Sequence, residues 1–189
     1  MAYNGIHLIT PTSVTKAGAG STATINTNGS VTFSACTSLS LNGVFTGDYT
    51  NYIMATRFSP TGSGQYLTMR YRASGTDASG GSDYVDQLIF ADNTTNYGAR
   101  TASHPYAAHF VGYFYSTAIQ GMIFYFYGPF LTQPTAFRNL VANDRQSATS
   151  AAILEYAGTH DLSTAYDGFT LFPQANAFGG SMAVYGMRN

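Results

Sequence analysis

No ten-residue window of this chain sets its apolar side chains at the 3.6-residue spacing of an amphipathic helix. Segment after segment instead alternates apolar and polar residues with period two. The clearest case is 66–72. There Leu67, Met69 and Tyr71 occupy one phase, and Thr68, Arg70 and Arg72 the other. Successive side chains of a strand point to opposite faces, so this reads as an antiparallel strand with one face packed and one face wet. Related runs recur at 30–36, 38–45, 52–58, 84–90, 109–115, 122–127, 135–141, 150–156, 169–172 and 181–187. Gly, Pro, Asn and Asp punctuate them, as in Ser59-Pro60-Thr61-Gly62, the long loop 74–82, Asn42-Gly43 and Asp167-Gly168.

Many short strands at close spacing, with no solenoid or propeller repeat, predict an all-β fold. The expected architecture is an antiparallel two-sheet sandwich, jelly-roll-like, over residues 30–189. Residues 1–29 are small and polar, with a tight-turn signal at Asn28-Gly29. They read as an extended N-terminal arm that gains order by lying on a neighbour. Surface scaling for 189 residues gives roughly 8,800 Å² folded against about 29,000 Å² extended. That is enough burial for a core with no covalent staple. The single cysteine, Cys36, sits in a strand run and reads as a small buried filler with no electropositive neighbour in sequence.

Charge narrows the partners. The chain has one lysine (Lys16), one glutamate (Glu155), seven scattered arginines and a net charge of −1. Only Arg70 and Arg72 fall close together, on one face of their strand. Two charges do not make a phosphate-tracking surface, so nucleic acid is not an expected partner. The first nine residues lack a basic lead and a long apolar run, so no secretory signal is expected. Residues 110–131 carry no charge and match a membrane span in length. Their aromatic and β-branched alternation, interrupted at Gln120-Gly121, reads instead as two strands joined by a turn, with no membrane span.

Candidate chemistry is sparse. His104 and His109 are five apart with Pro105 between them. His160-Asp161 lies in a polar stretch, and His7 lies near the arm. No His or Cys spacing matches a zinc site, no Gly-x-Ser-x-Gly marks a nucleophile, and neither Gly18-x-Gly20 nor Gly62-x-Gly64 leads into a lysine and a helix. Asp77, Asp83, Asp86 and Asp92 gather in and after the Gly/Ser-rich loop without the ligand spacing of a calcium loop. They read as turn-forming acids, with cation binding left open. Glu155 could serve a sugar-cleaving carboxylate pair only if the fold brings it a partner. The 15 tyrosines could stack on sugar rings if they are exposed. Catalytic, cofactor and metal residues are therefore expected to be absent.

Several stretches carry a resemblance. Residues 2–14 (AYNGIHLITPTSV) run toward 29–33 (GSVTF), followed by 39–52 (LSLNGVFTGDYTNY), 166–173 (YDGFTLFP) and 180–187 (GSMAVYGM). Together they resemble small β-sandwich virion proteins of tailed bacteriophages, of the marine and cyanobacterial tail-fibre, appendage or capsid-decoration type. The resemblance implies a jelly-roll-like module located in the virion, trimeric or otherwise symmetric, with no catalytic residues and with other virion proteins as partners. A chain of this length without a repetitive shaft suits a compact decoration, knob or short tail-attached module. The expected function is structural, with assembly through tyrosine-rich strand faces. The alternative is a carbohydrate-binding tip that recognises host surface glycans, and a glycan-acting enzyme is the remote third.

Overall fold

The computed structural model describes residues 5–62, 65–91, 96–114, 119–144 and 151–188. Among these residues there are sixteen strands and no helix. They are β1 (Ile6–Ile9), β2 (Ser13–Ala17), β3 (Thr22–Ile25), β4 (Val31–Cys36), β5 (Ser38–Asn42), β6 (Asn51–Pro60), β7 (Gln65–Ala73), β8 (Thr76–Asp77), β9 (Tyr84–Ala91), β10 (Asn96–His104), β11 (Ala107–Phe114), β12 (Gln120–Tyr127), β13 (Thr135–Asp144), β14 (Ala151–His160), β15 (Gly168–Pro173) and β16 (Phe178–Met187). All of their pairings are antiparallel. The larger sheet runs β10-β9-β14-β13-β12-β6-β16-β4-β3, with β1 also on β16. The smaller runs β11-β7-β15-β5-β2, with β8 on β7. The chain is thus a two-sheet antiparallel sandwich, as its period-two patterning requires.

The packed face of the clearest strand is as expected, with Leu67, Met69 and Tyr71 fully buried. Its other face is not wet, because Thr68 is also fully buried and Arg70 and Arg72 are only partly exposed. On the larger sheet β12 reads buried at Met122, Phe124 and Phe126 and more open at Ile123, Tyr125 and Tyr127. Aromatic rings fill the space between the sheets. Phe126 of the larger sheet lies 5.3 Å from Phe169 of the smaller, and Phe45 lies 4.8 Å from Tyr52 and 4.9 Å from Phe126. The total accessible surface, 8578 Å², is close to the value of roughly 8,800 Å² for a compact chain of this mass.

The first segment is extended, and its partners are strands of its own chain. β1 pairs with β16, β2 with β5 and β3 with β4, so the segment spreads over both sheets. Ile9, Val14, Ala23 and Ile25 pack against the one core, which links the arm to the sandwich energetically. The Asn28-Gly29 signal forms the β3–β4 turn. Gly29 has φ +84 and donates to Asn26 O at 2.9 Å, a conformation that favours glycine.

The charge-free run 110–131 needs a correction. Its strands β11 and β12 are not a hairpin, because β11 pairs with β7 in the smaller sheet and β12 with β6 and β13 in the larger. Gln120-Gly121 begins β12 and is not the turn. The run supplies one strand to each sheet. Among the described residues no helix is long and apolar enough to cross a membrane. The sequence reading also overlooked β10 and ended β5 too late, since Val44 and Phe45 fall in a loop that folds into the core.

Tyr52 anchors the Thr46–Tyr49 turn. Its hydroxyl accepts from Thr46 N at 2.7 Å and donates to Thr46 O at 2.6 Å. Gly186 sits near the end of the last strand, where packing fixes its identity. A Cβ there would meet the Tyr49 ring at 2.4 Å, so glycine is required by close packing and not by conformation.

Candidate functional site: the outer face of the larger sheet

The strand register lays out the solvent-facing side of the larger sheet as cross-strand rows. One row is Ala183, Ala55, Ile123, Leu140, Glu155 and Ile89, taken from β16 through β6, β12, β13 and β14 to β9. The next row toward one end holds Ser181, Arg57, Gly121, Ile153 and Ala91. The next toward the other end is Tyr185, Ile53, Tyr125, Arg138, Ala157 and Gln87, with Arg100 of β10 beyond it. The last holds Met187, Asn51, Tyr127, Ala136, Thr159 and Val85.

The face divides into two halves. In the first, Ile89, Ile123, Leu140 and Ile153 are 64%, 47%, 52% and 63% exposed. A groove of about 690 Å³ lies here, walled by Ile123, Leu140 and Ile153 over Ala55, Gly121 and Ala183. Large aliphatic residues on four neighbouring strands form an exposed patch of the kind that marks an interaction surface. In the second half, a trough of about 620 Å³ runs over Ala136 and Ala157, with Tyr127 and Arg138 on one side and Gln87 and Arg100 on the other. Tyr125 and Tyr127 stand side by side there, ring centroids 6.4 Å apart and planes within 8°. Arg138 pairs with Glu155 at 2.6 Å where the two halves meet.

The residues singled out in the sequence scatter. His160 is fully buried in an aromatic box, 4.3 Å from Tyr84, 5.1 Å from Tyr166 and 5.6 Å from Tyr71 between ring centroids. The Tyr166 hydroxyl lies 3.2 Å from its Nδ1. Burial lowers its affinity for a proton, outweighing the attraction of Asp83 and Asp161. His104 ends β10, paired with Tyr84, and Pro105 separates it from β11. The side chain of His109 lies outside the described residues. His7 is on β1, 6.0 Å from the Tyr49 ring. Cys36 is a buried free thiol, and burial pushes its pKa up.

The acids do not converge. Asp77 pairs with Arg72 on the smaller sheet, Asp83 sits in the loop before β9, Asp86 points into the core, and Asp92 lies outside the described residues. Among the described residues no group of three His, Cys, Asp or Glu could hold a metal ion. Arg70 and Arg72 share a face, as expected. Arg70 lies 4.9 Å over the Phe172 ring, and Arg72 is committed to a hydrogen-bond network.

The buried imidazole makes one expectation directly testable. The folded state holds His160 neutral with its pKa below the ordinary 6.5, while the unfolded chain takes up a proton near that value. Stability from this group is therefore fully present above pH about 6.5 and declines as pH falls below it. Urea midpoints measured across pH should show that decline in the parent, and His160→Gln should flatten it. An unchanged slope in the variant would remove the histidine from the explanation.

No protein-family model and no curated protein sequence matches the chain. Among solved structures, it is similar to the C-terminal CBM6 of LamC, a marine laminarinase from Zobellia galactanivorans, at 8% identity over 96% of this chain and 99% of that one, with a TM-score of 0.33. It is similar to the SPRY domain of human HERC1 at 10% identity over 89% and 96%, with a TM-score of 0.27. A protein of unknown function with a galectin-like fold from Bacillus subtilis gives 9% identity over 97% and 100%, with a TM-score of 0.23. Likeness at these TM-scores carries no argument about what this chain binds, so function is argued from the face itself.

Proposed function

We propose that this chain is a non-enzymatic structural module on the outside of a tailed-phage virion, assembling into a closed homo-oligomer through the apolar half of its larger sheet. The observation that carries the assembly reading is the band Ile89, Ile123, Leu140 and Ile153, all exposed on one face. Aliphatic side chains left in water on a protein with few charges gain free energy by burial, roughly 25 cal/mol per Å² covered. A closed symmetric assembly satisfies such a face without running on into fibres. The virion setting comes from the resemblance of residues 2–14, 29–33, 39–52, 166–173 and 180–187 to small phage virion proteins. The exposed Tyr127 and the half-buried Tyr125 and Tyr185 share this face but lie toward its other end, so the proposed assembling surface is more aliphatic than the tyrosine-rich one expected from sequence.

Light scattering on the purified chain at micromolar concentration should find an oligomer. Ile123→Glu combined with Ile153→Glu should weaken association by about tenfold or more, with circular dichroism unchanged. The purified protein should also attach to particles that lack it. A monomer at every concentration that ignores such particles would sink the proposal.

A second reading is favoured by the trough beyond Arg138. The exposed Tyr127 ring, flanked by Tyr125, and the polar ends of Gln87, Arg100 and Arg138 surround a floor of small residues. Aromatic faces with hydrogen-bonding groups around them are what a sugar ring requires. The two readings are compatible, because burying the apolar half against a sister subunit leaves the polar half open for a host surface glycan.

A further inference from the structure

We infer that the polar trough takes an acidic glycan, a sugar chain bearing carboxylate or sulfate groups, with Arg100 as its charge-recognising residue. This rests on the glycan-binding reading and names the substrate class that reading leaves open.

The outward positions of the larger sheet carry Arg57, Arg100 and Arg138 but only one carboxylate, Glu155, among the described residues. Glu155 is already held by Nη2 of Arg138 at 2.6 Å. Arg100 has no carboxylate partner among the described residues, and its strand places it beside Gln87 at the trough's edge. Arg138 is thus engaged by Glu155, and Asp161 holds Thr159 Oγ1 at 3.2 Å at the trough's end, which leaves Arg100 as the trough-lining cation without a carboxylate partner among the described residues. Guanidinium groups present planar donor pairs that match carboxylate and sulfate oxygens, and the charged bond is stronger than one to a hydroxyl.

The shape argues for a sugar over other anions. Tyr127 on β12 and Gln87 on β9 stand three strand spacings apart, about 14 Å, with the low side chains of Ala136 and Ala157 between them. A pyranose can lie flat across that floor with its edge against the Tyr127 ring and its hydroxyls toward Gln87 and Thr159. Extended nucleic acid needs a longer track of cations than this face provides. An acidic peptide is read by a cluster of arginines, whereas this trough offers one unpaired arginine beside an aromatic ring and a floor of small residues, which suits a sugar.

Calorimetry on the full chain tests this with three probes: an oligogalacturonate, its methyl ester, and a heparin-derived hexasaccharide. The acid or the sulfated sugar should bind. Esterification should weaken binding by about tenfold or more, the size of one lost charge-assisted bond. Arg100→Gln should produce a loss of the same order, Tyr127→Ala should weaken the acid and the ester alike, and raising salt should act on the acid alone. Both side chains are exposed, and a thermal melt checks that the variants remain folded. Equal binding of acid and ester would overturn the acidic preference while keeping a glycan site. Failure of every glycan would overturn both readings, and duplex DNA binding as tightly as heparin would reduce the site to a general attraction for anions.

Discussion

Replacing Phe126 with alanine should cost about 3–5 kcal/mol of unfolding free energy, the largest single-residue loss we expect in this chain. Phe126 is fully buried on β12. Its ring lies 4.3 Å from Phe124, 4.9 Å from Phe45, 5.3 Å from Phe169 and 6.1 Å from Tyr71. Tyr71 and Phe169 belong to the smaller sheet, and Phe45 folds in from the loop after β5. Truncation therefore opens a cavity where the two layers meet, walled by rigid rings that cannot collapse into it. Typical domains hold about 5–15 kcal/mol in reserve, so the variant should melt roughly 10 °C lower. Tyr127→Ala, one position along and facing water, should stay within about 0.5 kcal/mol. Calorimetric melts of the two variants decide the matter, and equal shifts would mean that the sandwich core does not lie where we place it.

Arg72→Ala should cost about 3 kcal/mol, at the low end of the range for breaking a buried pair because the pair is not fully enclosed. The side chains of Arg72 and Asp77 are 12% and 25% exposed. Nε of Arg72 donates to Asn42 Oδ1 at 3.1 Å, and Nη1 donates to Thr170 Oγ1 at 2.9 Å, to Ser40 Oγ at 3.2 Å and to Asp77. Nη2 donates to Gly75 O. One guanidinium thus joins β5, β15, β8 and the turn after β7. Its removal leaves Ser40 and Thr170 bonded to each other at 2.9 Å and Thr170 donating to Asp77 at 2.7 Å, but takes the countercharge from a partly buried carboxylate and the donor from Asn42 Oδ1. Lysine restores the charge but not the planar fork, so Arg72→Lys should recover only a minor part. Urea unfolding of both variants is the measurement. A lysine variant as stable as the parent would show that charge alone matters there.

Much of the fold was legible in the sequence because strand periodicity is local. Leu67, Met69 and Tyr71 could be assigned to the core from their spacing alone. The two strands of the charge-free run could be recognised, but not their placement in different sheets, since alternation says which phase is buried and nothing about which strand lies alongside. The candidate site left a fainter trace. Ile89-Phe90, Leu140-Val141 and Ile153-Leu154 are consecutive apolar pairs in strands, which means apolar residues on both faces. That signal could have marked an exposed apolar band. Nothing local says that the three pairs fall on neighbouring strands.

The histidine and the acids show the same division from the other side. His160-Asp161 reads as loop chemistry, yet pairing of Thr135 with His160 and of His160 with Tyr84 turns the imidazole into the core. Asp77 and Asp83 are close in sequence, but the fold gives one to an arginine network and leaves the other in a loop. Sequence by itself determined the class of fold, because period-two alternation, turn residues and scarce charge are properties of short segments. Tertiary structure alone decided that Tyr127, Arg138, Gln87 and Arg100 surround one trough and that four aliphatic residues share one band. Both depend on the register between strands distant in the chain, which is set by packing of the whole core.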